Sequence, residues 1–234
     1  MARRSQTADP ELLRTRLIEL LHDLPERLAH GTVGEQVGEL VQVHHQLRDL
    51  GASIGAALAP EDSGSGRARL IAYLRAQTGR IVHTDELMIV AGIGDYPRRI
   101  RELRSQHGWP IISGLAVRDL RSLPVSSEAL KAVPAGMAPD EYLLLEDRQD
   151  RRAPERWTAC GIMRDTGAAP RTLVREYFER FPEQRITAEE LRYLVGNKTD
   201  WTSGVADMII SGRTIEGADL AAADPPAGIF ILRD

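Results

Sequence analysis

The sequence predicts an α+β chain, mainly α: an N-terminal helical hairpin followed by two copies of one small helix–strand unit. Three observations lead there. Leucine and valine recur at helical spacing through residues 1–59. Residues 60–66, "PEDSGSG", have the composition of a linker. Beyond the linker, one pattern of caps, apolar positions and short β-prone runs occurs twice.

The hairpin comes first. Asp9-Pro10-Glu11 is a helix start, with Asp9 as N-cap and Pro10 at the first helical position. Leu12, Leu13, Leu17, Leu20, Leu21 and Leu24 form a stripe ending near Gly31. A second stripe runs from Val37 through Leu40, Val41, Val43 and Leu47 to Leu50, and closes near Pro60. Two helices of this length bury little between them, so the hairpin is expected to pack on a neighbour or a second copy.

The duplicated unit is aligned by setting Leu87 against Leu191. Each copy opens with an amphipathic helix, Leu70 to Leu74 or Leu173 to Phe178, then a short strand at 80–82 or 185–187. A capped helix follows, beginning Thr84-Asp85-Glu86 or Thr187-Ala188-Glu189-Glu190. A turn rich in Gly or Asn leads to another helix, starting at Asp95-Tyr96 or Asp200-Trp201. Its inward positions are Tyr96, Ile100 and Leu103 in one copy and Trp201, Val205 and Met208 in the other, at i, i+4, i+7. The copies close with "EYLLLED" (141–147) and "GIFILRD" (228–234). Helix, strand, helix, helix, strand, wing, strand is the order of a winged helix, a helix-turn-helix variant. The sequence therefore predicts winged helices over 67–150 and 151–234. The first has a long wing at 113–140 containing "SSEALKAV", and the second a wing at 216–226.

In that architecture the third helix of the core enters the major groove, led by its N-terminal residues. At 100° per residue, with the buried arc centred on Tyr96, Ile100, Leu103 and His107, Arg98 and Ser105 point away from the core. Arg101 and Glu102 lie to either side of that line, and Arg99 and Arg104 flank the buried arc. A guanidinium fork suits guanine O6 and N7. The plainer reading is a solvated face with Arg98 and Glu102 paired at i, i+4. Charge segregation favours DNA: residues 67–112 hold eight arginines against four acids. The wing adds Arg118, Arg121 and Lys131, while the N-terminal segment is acidic. His83, just before Thr84, is placed to meet a phosphate or to help cap the helix, and both readings stay open.

The second copy differs. Its outward positions are Ser203, Ala206, Asp207 and Ile210, and residues 170–215 balance seven basic against seven acidic side chains. Glu216, Asp219 and Asp224 on its wing repel phosphate. Ala206 and Ile210 suggest a protein contact.

The formal net charge of −4 excludes a wholly basic nucleic-acid coat, so anion binding must be local. Only Lys131 and Lys198 are lysines among the 30 basic residues, and arginine counts alone therefore decide little. One cysteine, Cys160, excludes an internal disulfide and fits a reducing compartment. No apolar run approaches a membrane span, and "MARRSQTADPELL" lacks the apolar core of a signal peptide. A cytoplasmic, nucleoid-associated protein that does not engage the membrane is expected.

"GRIVHTDELMIVAGIGDYPRRIRELRSQHGWPIISG" (79–114) resembles the winged-helix domain that precedes the nuclease domain in bacterial restriction-type HNH endonucleases. The resemblance rests on Glu86-Leu87, Gly92, Gly94, Tyr96, the run Arg98 to Arg104, Gly108-Trp109-Pro110-Ile111, and the closing "EYLLLED". It covers about a third of the chain and implies DNA binding in restriction or a related defence role. The nuclease does not carry over. No histidine follows His107, and Cys160 in "TACG" has no partner cysteine for a zinc site. Other chemistries fail too. Ala129 and Gly196 stand where an acid-x-Lys core needs an acid, and no Gly-Lys-Ser/Thr follows Gly92-Ile93-Gly94. His44 and His45 are adjacent on a helix and diverge, and Tyr96 and Trp109 read as core.

The expectation is a non-catalytic binder of double-stranded DNA, selective for a sequence or a modified base, in restriction, defence or transcriptional control. It carries no catalytic residue, metal or cofactor. Two alternatives stand beside it: the recognition subunit of a nuclease whose catalysis lies on another chain, and a winged-helix protein-interaction adaptor. A homodimer and a nuclease or defence-system partner are the associations left open.

Overall fold

The computed structural model describes residues 9–60, 65–121, 123, 136–196, 200–217 and 228–233. These form ten helices and two small three-stranded antiparallel sheets, so the protein is α+β and mainly α. No described helix is long and apolar enough to cross a membrane. The chain divides into two compact units, Met1–Ala76 with Asp85–Ile100, and Gln77–Thr84 with Arg101–Asp234. Residues 67–150 contribute to both.

The first unit begins with the hairpin, α1 (Pro10–Ala29) and α2 (Val33–Ala56). Asp9 caps α1 by accepting from the Glu11 amide at 3.0 Å. Thr32 and Glu35 form a reciprocal capping box on α2. The C-terminal end of α2 lies against α4 (Thr84–Ala91) at backbone distance. A Cβ at Gly51 or Gly55 would stand 2.8 Å from the carbonyl oxygen of Ile89 or Val90. On α3 (Gly66–Ala76), Arg69 is buried, and its guanidinium donates to the carbonyls of Val90 (3.0 Å) and Ala91. It thereby satisfies the open C-terminal acceptors of α4 and meets the negative end of that helix.

The next elements are β1 (Ile81–Val82), α5 (Tyr96–Ser105), β2 (Ile111–Ser113), α6 (Gly114–Leu120) and β3 (Tyr142–Leu144). After them come α7 (Ala153–Arg164), α8 (Pro170–Arg180), β4 (Ile186–Thr187), α9 (Ala188–Leu194), α10 (Trp201–Ile210), β5 (Thr214–Glu216) and β6 (Ile229–Arg233). The two sheets have the same topology, β1-β3-β2 and β4-β6-β5, with the closing strand of each copy in the centre. Ile81 and Ile112 flank Leu143, as Ile186 faces Phe230 and Ile215 faces Leu232. Gly92 and Gly196 hold equivalent left-handed positions, φ +63° and +76°, ahead of α5 and α10. The duplication seen in the sequence is thus repeated in strand order and turn geometry.

One expectation is corrected. The stretch expected to be a wing from residue 113 begins as a helix, α6, capped by Ser113 and carrying buried Ala116, Val117, Asp119 and Leu120. The apolar spacing 116, 117, 120 is helical, so Arg118 lies on a helix and Arg121 at its C-cap. "SSEALKAV" and most of the second wing lie outside the described residues. Helix α7 was not anticipated either. It carries the "TACG" stretch, and Cys160 is buried with its sulfur 3.8 Å from the Glu190 carbonyl. Burial, then the nearby Glu190 charge, pushes the thiol above the usual cysteine range.

The core of the second unit is common to both copies. Ile112, Val117, Leu120 and Leu143 belong to the same buried cluster as Tyr177, Phe178, Trp201 and Phe230. Helices α8 and α10 meet at Gly204, where an added Cβ would lie 2.6 Å from the Val174 Cβ. Gly204→Ala should lower stability to urea by about 1–3 kcal/mol through overpacking. Pairing it with Val174→Ala should recover part of that loss; a double mutant no better than the sum of the singles would contradict the contact.

Candidate nucleic-acid interface

Helix α5 carries the candidate face. Gly92 turns the chain out of α4, Pro97 fixes the backbone in the first turn, and Ile100 and Leu103 anchor the inner side at 1% and 2% exposure. The opposite side is polar. Arg98 and Arg101 are exposed, Arg99 and Glu102 half-buried, and the Ser105 hydroxyl donates back to the Arg101 carbonyl at 2.8 Å. Arg98 and Arg101, three residues apart, project from one side of the helix near its positive end.

Arg104 has a different place. Its Nε donates to the Ile111 carbonyl at 2.7 Å and its Nη1 pairs with Glu189 at 2.9 Å, with the side chain 12% exposed. The guanidinium also stands 5.5 Å from the centre of the Tyr142 ring. Glu189 in turn accepts from the Ser113 hydroxyl at 3.1 Å. Arg104 therefore ties α5 to β2 and to α9 of the second copy. With Arg69 also buried, two of the eight arginines in 67–112 serve the interior, and the outward charge is lower than the count suggests.

The remaining sequence-derived positions are scattered. Arg118 and Arg121 are exposed on α6 and at its end, and His83 is exposed between β1 and α4. Lys131 lies outside the described residues. In the second copy, Ser203 and Asp207 are half-buried on α10, and Asp207 pairs with Arg171 of α8 at 3.0 Å. Arg171 and Asp207 lie on different helices, 36 residues apart, so the spacing within α10 does not reveal the pair. Ile210 is 79% exposed.

The sequence also hid a buried ionic cluster. Arg156 of α7, 1% exposed, bonds Glu190 through Nε at 2.8 Å and Asp150 through Nη2 at 2.8 Å. Burial disfavours its charge, but the carboxylates of Glu190 and Asp150 outweigh that and raise its pKa above the usual arginine value. Glu190, fully buried, also accepts from the Tyr177 hydroxyl and from the amide and hydroxyl of Thr187. Beside the cluster is a cleft of about 350 Å³ edged by Arg148, Arg151, Arg152 and Arg185. Glu146 pairs with Arg185 there at 2.9 Å, so part of its charge is internally compensated. Among the described residues no group of three or more His, Cys, Asp or Glu side chains is arranged to hold a metal ion.

A basic helix presented by a small α+β unit that occurs twice is the class these features define. Residues 67–145 match the family model of the KpnI N-terminal domain, a restriction-enzyme-associated domain. The match starts within α3 and ends just after β3, and so covers the first copy alone. It links the chain to restriction systems. No curated protein and no solved structure matches the chain.

Proposed function

We propose that the chain is a non-catalytic, duplex-DNA-binding protein of a restriction or related defence system, with tandem winged helices of which the first reads DNA. The observation that carries this is the exposed Arg98 and Arg101 pair on α5, backed by a buried Ile100 and Leu103. The helix order and central closing strand of each copy support the winged-helix reading, and the restriction-associated match falls on the arginine-bearing copy. Arg98, Arg99 and Arg101 would contact bases and phosphates in the major groove, with Ser105 on the same side. Arg118, Arg121 and Lys131 would meet the backbone, and His83 a phosphate. Arg104 is left out of this set, since its guanidinium is mostly buried and its Nε and Nη1 are engaged inside the protein. In the second copy the exposed Ile210 favours a protein contact.

The test is selection from random duplexes, modified and unmodified, followed by titrations at several salt concentrations. Arg98→Ala should weaken the selected site by about 1–3 kcal/mol and relax preference at one base pair. Arg121→Ala should weaken all duplexes evenly and flatten the salt dependence. Changes at Ser203 should do much less. Absence of salt-sensitive duplex binding would refute the proposal. Metal-dependent cleavage abolished by a point mutation would refute its non-catalytic part.

A further inference from the structure

The hairpin carries a largely exposed apolar face that the described residues leave uncovered except at Gly51, which packs on α4. On α2, Val33, Val37, Leu40, His44, Leu47 and Ile54 fall at alternating four- and three-residue steps once Gly51 is counted, a heptad stripe interrupted where Gly51 packs on Ile89 of α4. The five aliphatic members are 46–76% exposed. The stripe is separate from a half-buried line, Gln36, Glu39, Val43, Gln46 and Leu50, which Gln36 (to the Leu28 carbonyl) and Glu39 (to Arg27) tie to α1. At 100° per residue the two lie about 90° apart around α2. On α1, Ile18 and Leu21, 53% and 46% exposed, are displaced from its own seam in the same rotational sense. For antiparallel neighbours the same sense means the same side, so both helices feed one face. The Arg27–Glu39 pair, 3.1 Å, marks a register in which Leu21 and Ile18 come within about a residue of His44 and Leu47.

We infer that this face is a homodimer interface in which two hairpins close a four-helix bundle. Heptad spacing calls for a helix as the covering element, and a two-helix face is half of a bundle. A two-fold axis through the face closes it without leaving a second apolar surface, as an isologous contact does. Charge permits a second copy. The acids of α2, Glu35, Glu39 and Asp49, all lie more than about 100° around the helix from the stripe. His44 is the only ionisable member of the α2 stripe; on α1, Glu11, Arg14 and His22 stand at helical spacing from Ile18, and the Arg14 and Glu11 charges already pair with each other at 2.8 Å. The area is adequate: these half-exposed side chains and their flanks amount to roughly 500–800 Å² per copy, comparable to one side of a standard interface.

Light scattering and sedimentation equilibrium on the full chain test the inference. The wild-type protein should have twice the 25.9 kDa chain mass at micromolar concentration. Leu40→Glu with Leu47→Glu, and separately Leu40→Lys with Leu47→Lys, should raise the dissociation constant on the order of 100-fold or more by placing like charges in the seam. An equimolar mixture of the two variants should regain the dimer as a heterodimer, which misfolded chains would not do. A monomeric wild type, a dimer indifferent to both substitution pairs, or a mixture that stays monomeric overturns it.

Discussion

Glu190→Gln should lower the stability of the second unit by about 3–5 kcal/mol, the cost of removing one partner from a buried ion pair. The carboxylate is fully enclosed and receives donors from Arg156, Tyr177 and Thr187, so no water replaces the lost charge. The amide of glutamine would turn its own donors toward the guanidinium. Tyr177 cannot compensate, because burial, the larger cause of its raised phenol pKa, keeps it a donor even once the Glu190 charge is gone. Asp150 remains beside Arg156 at 2.8 Å, which keeps the effect below that of stranding an isolated charge. Urea unfolding followed by circular dichroism measures the loss. Arg156→Met in the same background should cost far less than it does alone. A Glu190→Gln protein within about 1 kcal/mol of wild type would show that the cluster does not carry this energy.

Trp201→Ala should cost about 3–5 kcal/mol by opening a large cavity in the common core. The indole is fully buried, packs edge-on against Phe230 at 5.9 Å, and donates from Nε1 to Asp119 at 3.2 Å. Asp119, 2% exposed on α6, also pairs with Arg192 of α9. Trp201→Phe should keep most of the packing and lose the donor, costing about 1–3 kcal/mol. Alanine and phenylalanine variants of equal stability would mean that neither cavity nor ring matters. Since a domain is stable by only about 5–15 kcal/mol, the alanine variant should also be prone to unfold on warming.

Much of the architecture was legible because it is written in short-range chemistry. Asp9-Pro10 and the Thr187-x-x-Glu190 box announced their helices. The shared spacing of Tyr96, Ile100, Leu103 and Trp201, Val205, Met208 announced the duplication. The helices at 114–120 and 153–164 were missed for different reasons. The first is short and opens on glycine inside a stretch taken as a wing, and the second carries arginine and glutamate among its apolar positions. The site was harder to read. A residue flanking the buried arc of a helix goes inward or outward according to what packs beside it, and for Arg104 that neighbour is Glu189, far along the chain. Arg69 is the same case, drawn inward by the carbonyl end of α4. Arg98 and Arg101, opposite the arc, have no such ambiguity, and their exposure follows from periodicity.

The polar ties between the two copies have a consequence for the order of events at the ribosome. Ser113 and Glu189 are separated by 76 residues, Asp119 and Arg192 by 73, and Asp119 and Trp201 by 82. Contacts of such span close late, because the chain must surrender loop entropy before they form. At synthesis rates of roughly 5–20 residues per second, the first sheet waits several seconds for the helices that cover it. During that interval its apolar strands and the Asp119 carboxylate stand without their native cover, the state in which a nascent chain is most open to chaperone capture or misassociation. The two copies therefore share a buried core instead of holding one each, and the strands and α6 of the first depend for their cover on residues made well after them.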